Sequence, residues 1–325
     1  MSITTEGGSP ATGAPRGRQG KQYDPQSLKR QSPRRGEQVT MAFLAAASLL
    51  SVFVTVGIVL SLLLPAISFF REVSVSEFLF GTRWTPQFTG QESYGVLPLV
   101  TGTLWTTVIG LSVAIPFGLG AAIYLSEYAP FRLRKVLKPV LEVLAGIPSV
   151  VYGFFALTFV APVILNDLLG LEIGTFSVLS AGIVLGIMII PTVASLSEDA
   201  MSAVPDALRQ GSYALGANKM RTVLRVVFPA AISGIAASIV LALSRAVGET
   251  MIVALAAGTQ AQMVSGATQN GQTMTGFIAQ TAAGESTPGT LSYNTLFAVG
   301  LLLFLITFLI NLISIRLVRK FREAY

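Results

Sequence analysis

Cysteine and histidine are both absent from the chain's 325 residues. That excludes a disulfide framework, a thiolate metal site, a cysteine nucleophile and any histidine-based triad. Charge is scarce too: Asp, Glu, Lys and Arg make up 12% of the chain, against about 25% in an ordinary soluble domain. The 16 acidic residues include no close-spaced pair on a common face of an apolar run, so carboxylate chemistry has no evident seat there. Nor does a G-x-x-x-x-G-K-[ST] phosphate loop occur; around Gly20-Lys21, the nearest match, Pro15 occupies the first glycine position. ATP hydrolysis, if it drives this protein, belongs to another subunit.

Apolar side chains fill what these absences leave. They make up 52% of the residues, and mean hydropathy is +0.68. Several continuous apolar runs exceed about 18 residues, the length of a membrane-spanning helix, and the alternating segments of a membrane barrel are missing. The expectation is an all-α membrane protein, a six-helix bundle spanning roughly 41–66, 99–125, 139–165, 176–197, 229–259 and 294–317. Pro116, Pro162, Pro191 and the Gly146-Ile147-Pro148 break predict kinked helices. Gly182 and Gly186 stand one helical turn apart, as close helix packing in lipid requires.

Residues 1–40 are rich in Gly, Pro, Ser, Gln and Arg and are expected to be a disordered tail, not a secretory signal. The membrane domain then covers 41–325. The net charge of +6 is a matter of topology rather than nucleic-acid binding. Lys and Arg concentrate in the tail, in 126–138 (Arg132, Arg134, Lys135, Lys138), in 198–228 and at the C-terminus, whereas the alternate loops hold only Arg71 and Arg83. By the positive-inside rule both termini and the two basic loops are cytoplasmic, which places the protein in the cell membrane with several passes. Met274–Ala283, in a loop without Lys or Arg, is expected to form a short helix at the outer surface.

The exception to the apolar pattern is Arg245, inside the run Ile239–Gly258 and followed by Glu249. A charge at membrane depth costs roughly 3 kcal/mol or more, so it usually faces a bundle interior or an aqueous path. Residues four apart on a helix share a face, so Arg245 and Glu249 are expected to touch. Arg245 reads either as half of a structural ion pair or as an oxyanion ligand, for which its planar fork is suited. In the second reading Glu249 holds Arg245 when substrate is absent and then accepts a hydrogen bond from the protonated oxygen of hydrogen phosphate. Ser244 and Thr250 add nearby hydroxyls.

The segment 199–229 reads as two short helices joined near Gly216. Gly211 and Gly216 are expected to interrupt the helix. Along Lys219–Phe228, Met220, Val223, Leu224 and Val227 form one face and Lys219, Arg221 and Arg225 lie off it. The spacing Gln210-Gly211-Ser212-x-x-x-Gly216-x(9)-Val226-x-Phe228-Pro229 resembles the E-A-A-x-x-x-G-x(9)-I-x-L-P pattern of ABC importer permeases, although the E-A-A triplet itself is replaced. Tyr94–Leu104, Gly146–Gly153 and Arg245–Thr250 are similar to phosphate-specific members of that family. Trp84-Thr85-Pro86 and Arg319-Lys320-Phe321-Arg322 resemble the PstC-type subunit rather than the PstA-type one.

The resemblance implies the permease subunit of a phosphate importer with no cofactor of its own. A coupling surface of Ser212, Tyr213, Ala214, Leu215, Gly216, Ala217, Asn218, Lys219 and Arg221 would meet an ATPase. It implies a PstA-like second permease, two PstB-like subunits using ATP and Mg, and a PstS-like extracytoplasmic binding protein. It also points to Arg245 and Glu249 as functional positions. Two alternatives stay open: a permease for sulfate or molybdate, and an ion-coupled secondary transporter. The latter often carries inverted repeats, and none is evident here. A membrane-embedded enzyme lacks the residues for chemistry.

Overall fold

The computed structural model describes residues 35–320 except 89, 285, 286 and 288. The chain divides into two compact units, residues 1–57 and 58–325. Helix α1 (Arg35–Glu72) contains the boundary. In the first unit its apolar side chains, Phe43, Leu49 and Phe53 among them, are exposed, as suits a segment surrounded by lipid. The expected tail ends earlier than residue 40, because 35–40 are already helical; 1–34, and the end of the C-terminal Arg319–Arg322 motif, lie outside the described residues.

In the second unit come α2 (Val75–Phe80), α3 (Leu97–Tyr128), α4 (Phe131–Ala145), α5 (Ser149–Leu168), α6 (Val178–Ser202), α7 (Asp206–Ala214) and α8 (Lys219–Ala230). Then follow α9 (Ile232–Gly248), α10 (Met251–Ala256), α11 (Met274–Ala283) and α12 (Leu291–Lys320). No strand occurs among the described residues beyond an isolated bridge between Trp84 and Tyr94. Among the described residues five helices are long and apolar enough to cross a membrane, and α8 with α9 makes a sixth when taken together, bent by 71°.

The α6 helix is the centre of the bundle, packed by α3, α9, α4 and α10. Val184, Leu185, Met188 and Ile189 are fully enclosed and meet Ile252, Val253 and Ala256 of α10. Glycines make the α3–α6 seam possible. A Cβ on Gly182 would lie 2.7 Å from the Ile109 Cβ, and one on Gly186 would lie 2.7 Å from both the Gly110 carbonyl oxygen and the Val113 Cβ. Two backbones therefore approach closely, as the one-turn spacing predicts. Gly186→Ala is expected to destabilise the bundle by about 1–3 kcal/mol through overpacking. The check is thermal unfolding in detergent beside Gly120→Ala, whose added methyl meets nothing within 4 Å.

Two expected spans are corrected. The stretch 139–165 is not one helix: α4 ends at Gly146, Pro148 caps α5, and the membrane-crossing helix starts at Ser149. Proline disfavours helix for the residue before it, and α4, where cations alternate with apolar residues, buries none of its own. Pro162 lies in the wider, π-type part of α5, Ala156–Leu168, one of the backbone adjustments by which membrane helices tolerate proline. The stretch 229–259 is also broken, since α9 stops at Gly248 and Glu249 adopts an extended backbone before α10.

At the basic end of the bundle, Glu198 of α6 is buried and pairs with both Arg134 and Lys138 of α4, the latter at 2.8 Å. Lys138 also pairs with Asp199. At the opposite end, Phe69, Phe78, Trp84, Tyr94 and Phe277 form an aromatic cluster. Its rings meet edge to face, Trp84 and Phe277 with centroids 5.0 Å apart, an arrangement that favours the ring quadrupoles.

Candidate functional site

Arg245 sits in the last turn of α9, and its Nη1 donates a 3.0 Å hydrogen bond to Thr192 Oγ1 on α6. Thr192 lies 10 residues before Ser202, roughly 15 Å along the helix, and roughly 21 Å beyond Val178, at 1.5 Å per residue. Arg245 therefore lies near the middle of the bundle. It is half-buried. No carboxylate forms an ion pair with it among the described residues.

Glu249 departs from its expected role. Because α9 ends at Gly248, the two residues are no longer one turn apart on a single helix, and they do not meet. The Glu249 carboxylate instead accepts hydrogen bonds from the backbone N–H groups of Met251 (3.1 Å) and Ile252 (3.3 Å) at the start of α10. Its carbonyl oxygen accepts from Thr275 Oγ1 at 2.6 Å, tying the break to α11. Ser244 donates to Asn311 Oδ1 of α12 at 3.1 Å, and Thr250 donates to the Gly248 carbonyl at 3.2 Å. The four sequence-chosen residues thus share one break in the bundle but reach in different directions.

The two-helix elbow forms as expected, at Gly216. Its φ of +78° is a left-handed conformation that glycine adopts without strain. Asn218 caps α8 by accepting from the Arg221 N–H at 2.9 Å. Ser212 Oγ and Thr222 Oγ1, 2.9 Å apart, bind the two arms together. Tyr213, Ala214, Asn218, Lys219 and Arg221 are exposed, Ser212 and Ala217 half-buried, and Leu215 at the tip is 90% exposed.

Two details of the elbow differ from expectation. Gly211 does not interrupt a helix; it lies within α7, a permissive position because nothing surrounds it. In α8 the inward face is Thr222, Val223 and Val227, whereas Met220 and Leu224 are exposed. Val223–Val227 is wound as a wider, π-type turn, so the 3.6-residue period does not carry through α8.

At the opposite end a cavity of about 900 Å³ opens between the loop before α3 and the segment around α11. Trp84, Gln260, Gln272, Phe277, Gln280 and Thr281 line it, and among the described residues none of its lining is charged. The Trp84 indole N–H and the Thr281 hydroxyl are buried there without hydrogen-bond partners among the described residues.

Residues 114–323 match the family described as binding-protein-dependent transport system inner membrane component. The chain belongs to this family. The matched stretch contains the elbow and the break at Arg245. Among curated relatives, a probable ABC transporter permease, YqgH of Bacillus subtilis, is 40% identical over 74% of this chain and 77% of its own length. The phosphate transport system permease PstC of Haemophilus influenzae is 35% identical over 76% of this chain and 82% of its own. PstC 1 of Mycobacterium tuberculosis is 38% identical over 75% and 81%. Solved structures agree in fold. A bacterial alginate ABC transporter in complex with a pentasaccharide-bound periplasmic protein aligns with a TM-score of 0.57 at 15% identity, over 89% of this chain and 98% of that one. An inward-facing MetNI methionine ABC transporter aligns at 0.52 and 22%, over 69% and 96%. The protein is accordingly a multi-pass ABC transporter permease.

Sequence reading missed Thr192, the Glu198–Arg134–Lys138 cluster, and Arg209, which pairs with Glu127. Each contact joins residues dozens of positions apart, and a single sequence carries no signal that pairs them.

Proposed function

We propose that this permease is the PstC-type subunit of an ATP-driven importer of inorganic phosphate and forms half of the translocation pathway. The observation that carries the reading is Arg245: a guanidinium mid-bundle with, among the described residues, a hydroxyl partner and no carboxylate in an ion pair. An always-protonated planar fork matches phosphate oxygens bidentately, and the relatives named as phosphate transport permeases specify which oxyanion. Glu249 would accept a hydrogen bond from the protonated oxygen of hydrogen phosphate, which sulfate lacks at neutral pH. For that its carboxylate must exchange its backbone partners at α10 for the ligand. Ser244 and Thr250 are secondary hydroxyl donors.

One arginine is a thin ligand for a dianion. A PstA-like permease subunit contributing its own cation across the half-buried face of Arg245 completes the site. Leu215 and the elbow around it dock one of two PstB-like ATPase subunits, which bind ATP and Mg. The outer cavity faces a PstS-like binding protein. The basic loops and both termini are then cytoplasmic.

The test is uptake by the reconstituted complex, with binding protein, in proteoliposomes. Phosphate accumulation that requires ATP and is unaffected by excess sulfate is the expected result. Equal competition by sulfate would move the reading to a general oxyanion permease, and uptake without the ATPase would move it to a secondary transporter.

A further inference from the structure

The elbow is attached to the bundle in two ways. Its second arm, α8, runs through a 71° bend directly into α9, which carries Arg245. Its first arm, α7, buries no residue fully; Leu208 only rests half-buried on the cluster of Ala122, Met201 and Val204. The polar anchor of α7 is Arg209. Its Nη2 donates to the Met201 carbonyl at 2.8 Å and to Glu127 Oε1 at 2.9 Å, and its Nε to the same carboxylate oxygen at 3.2 Å. Its Nη1 donates to the Val204 carbonyl and to Asp206 Oδ1.

Every nitrogen of the guanidinium is thereby engaged. The partners belong to the last turn of α3 (Glu127), the end of α6 (Met201) and the turn after it (Val204). Both charges are enclosed: the Arg209 side chain is 14% exposed and that of Glu127 5%. The glycine seam packs α3 and α6 against each other, and α6 carries Thr192, the partner of Arg245.

We infer that Arg209 is a positioning residue that keeps α6 in step with α9 when the elbow is moved, so that both walls around Arg245 shift together. A displacement of the elbow reaches α9 through the backbone of α8. It reaches α6 and α3 through Arg209, whose five donors and rigid fork suit a joint that must not slip. Without the joint α9 moves while α6 lags, and ATP hydrolysis proceeds without moving substrate. This inference rests on the importer reading for what is transported, but the joint itself is independent of substrate identity.

The experiment compares wild-type complex with Arg209→Lys and with the charge-neutral pair Arg209→Gln/Glu127→Gln, which leaves no buried lone charge. Phosphate taken up per ATP hydrolysed is expected to fall at least about fivefold, the lower end of ordinary coupling energies, while hydrolysis stimulated by loaded binding protein persists. Uptake and hydrolysis falling in parallel, or neither changing, would overturn the inference. So would failure of both variants to assemble, which would reduce Arg209 to a folding residue.

A second readout does not depend on the substrate. The chain has no native cysteine, so spin labels can be placed at Gln210→Cys on the α7 arm of the elbow and Leu196→Cys on α6, both exposed positions. The distance between them is expected to hold on nucleotide binding with Arg209 present and to shift in the neutral pair. A wild-type complex that moves no phosphate, yet holds that distance only when Arg209 is present, would refute the substrate reading and leave the joint standing. A distance that shifts equally with and without Arg209 would refute the joint alone.

Discussion

Arg245→Gln is expected to lower phosphate uptake by about 100-fold at equal levels of assembled complex. Truncating one partner of a desolvated, hydrogen-bonded charge pair costs about 2–5 kcal/mol, and each 1.4 kcal/mol is tenfold. Glutamine keeps the apolar stem and a polar end but falls two bonds short of the Nη1 that reaches Thr192, so the loss reports the charge, the fork and that contact together. Arg245→Lys keeps the charge but not the planar fork and is expected to fall between the two. Initial rates in proteoliposomes measure this directly. An unchanged rate in Arg245→Gln would make the residue a structural tie between α9 and α6, and the case for phosphate from this chain's own residues would fail with it.

The second large effect is on stability. Glu198→Ala is expected to destabilise the basic end of the bundle by about 2–3 kcal/mol. Removing one partner of a buried ion pair costs about 3–5 kcal/mol, and the figure is reduced here because Arg134 and Lys138 keep access to water. The cause is specific: α4 buries no residue of its own, so ion pairs to Glu198 and Asp199 do for it what apolar packing does elsewhere. Released, α4 should become the first site of proteolysis at Arg132 and Lys135, and thermal unfolding should begin earlier. Resistance equal to wild type would mean that α4 is held by something else.

The same cluster has a pH signature. Partial burial works to lower the Lys138 pKa, but hydrogen bonds to Asp199 and Glu198 outweigh it and raise the value above the usual 10.5. Its contribution is therefore complete below 10.5 and is lost only as pH rises through the raised folded value.

Much of this architecture was legible in the sequence because the membrane imposes simple rules. Backbone groups in lipid must be satisfied within helices, so length and hydropathy alone locate the spans, and Val178–Ser202 and Leu291–Lys320 fall where the apolar runs predict. The glycine pair at 182 and 186 and the turn at Gly216 were legible for a similar reason, since each follows from a local steric property of glycine. Arg245 was conspicuous because a charge in such a run is expensive.

What failed was every inference that assumed a helix continues in a straight line. Periodicity treats 229–259 as one cylinder and so brings Arg245 and Glu249 together. In the structure the chain bends before Ile232 and breaks after Gly248, and Glu249 is spent on the backbone of α10. The same assumption grouped Met220 and Leu224 with Val223 and Val227 on one face of α8 and merged α4 with α5.

The sequence by itself determined that this is a helical membrane protein, where its apolar helices lie, that a lone arginine sits in one of them, and that an exposed elbow precedes that helix. These are consequences of composition and of interactions spanning a few residues. The tertiary structure alone decided what Arg245, Glu249, Arg209 and Glu198 touch. Those partners lie 53 residues away for Arg245, 82 for Arg209 with Glu127, and 60 and 64 for Glu198. Such contacts depend on which helices pack side by side and at what height, and the spacing of residues along one chain does not encode that.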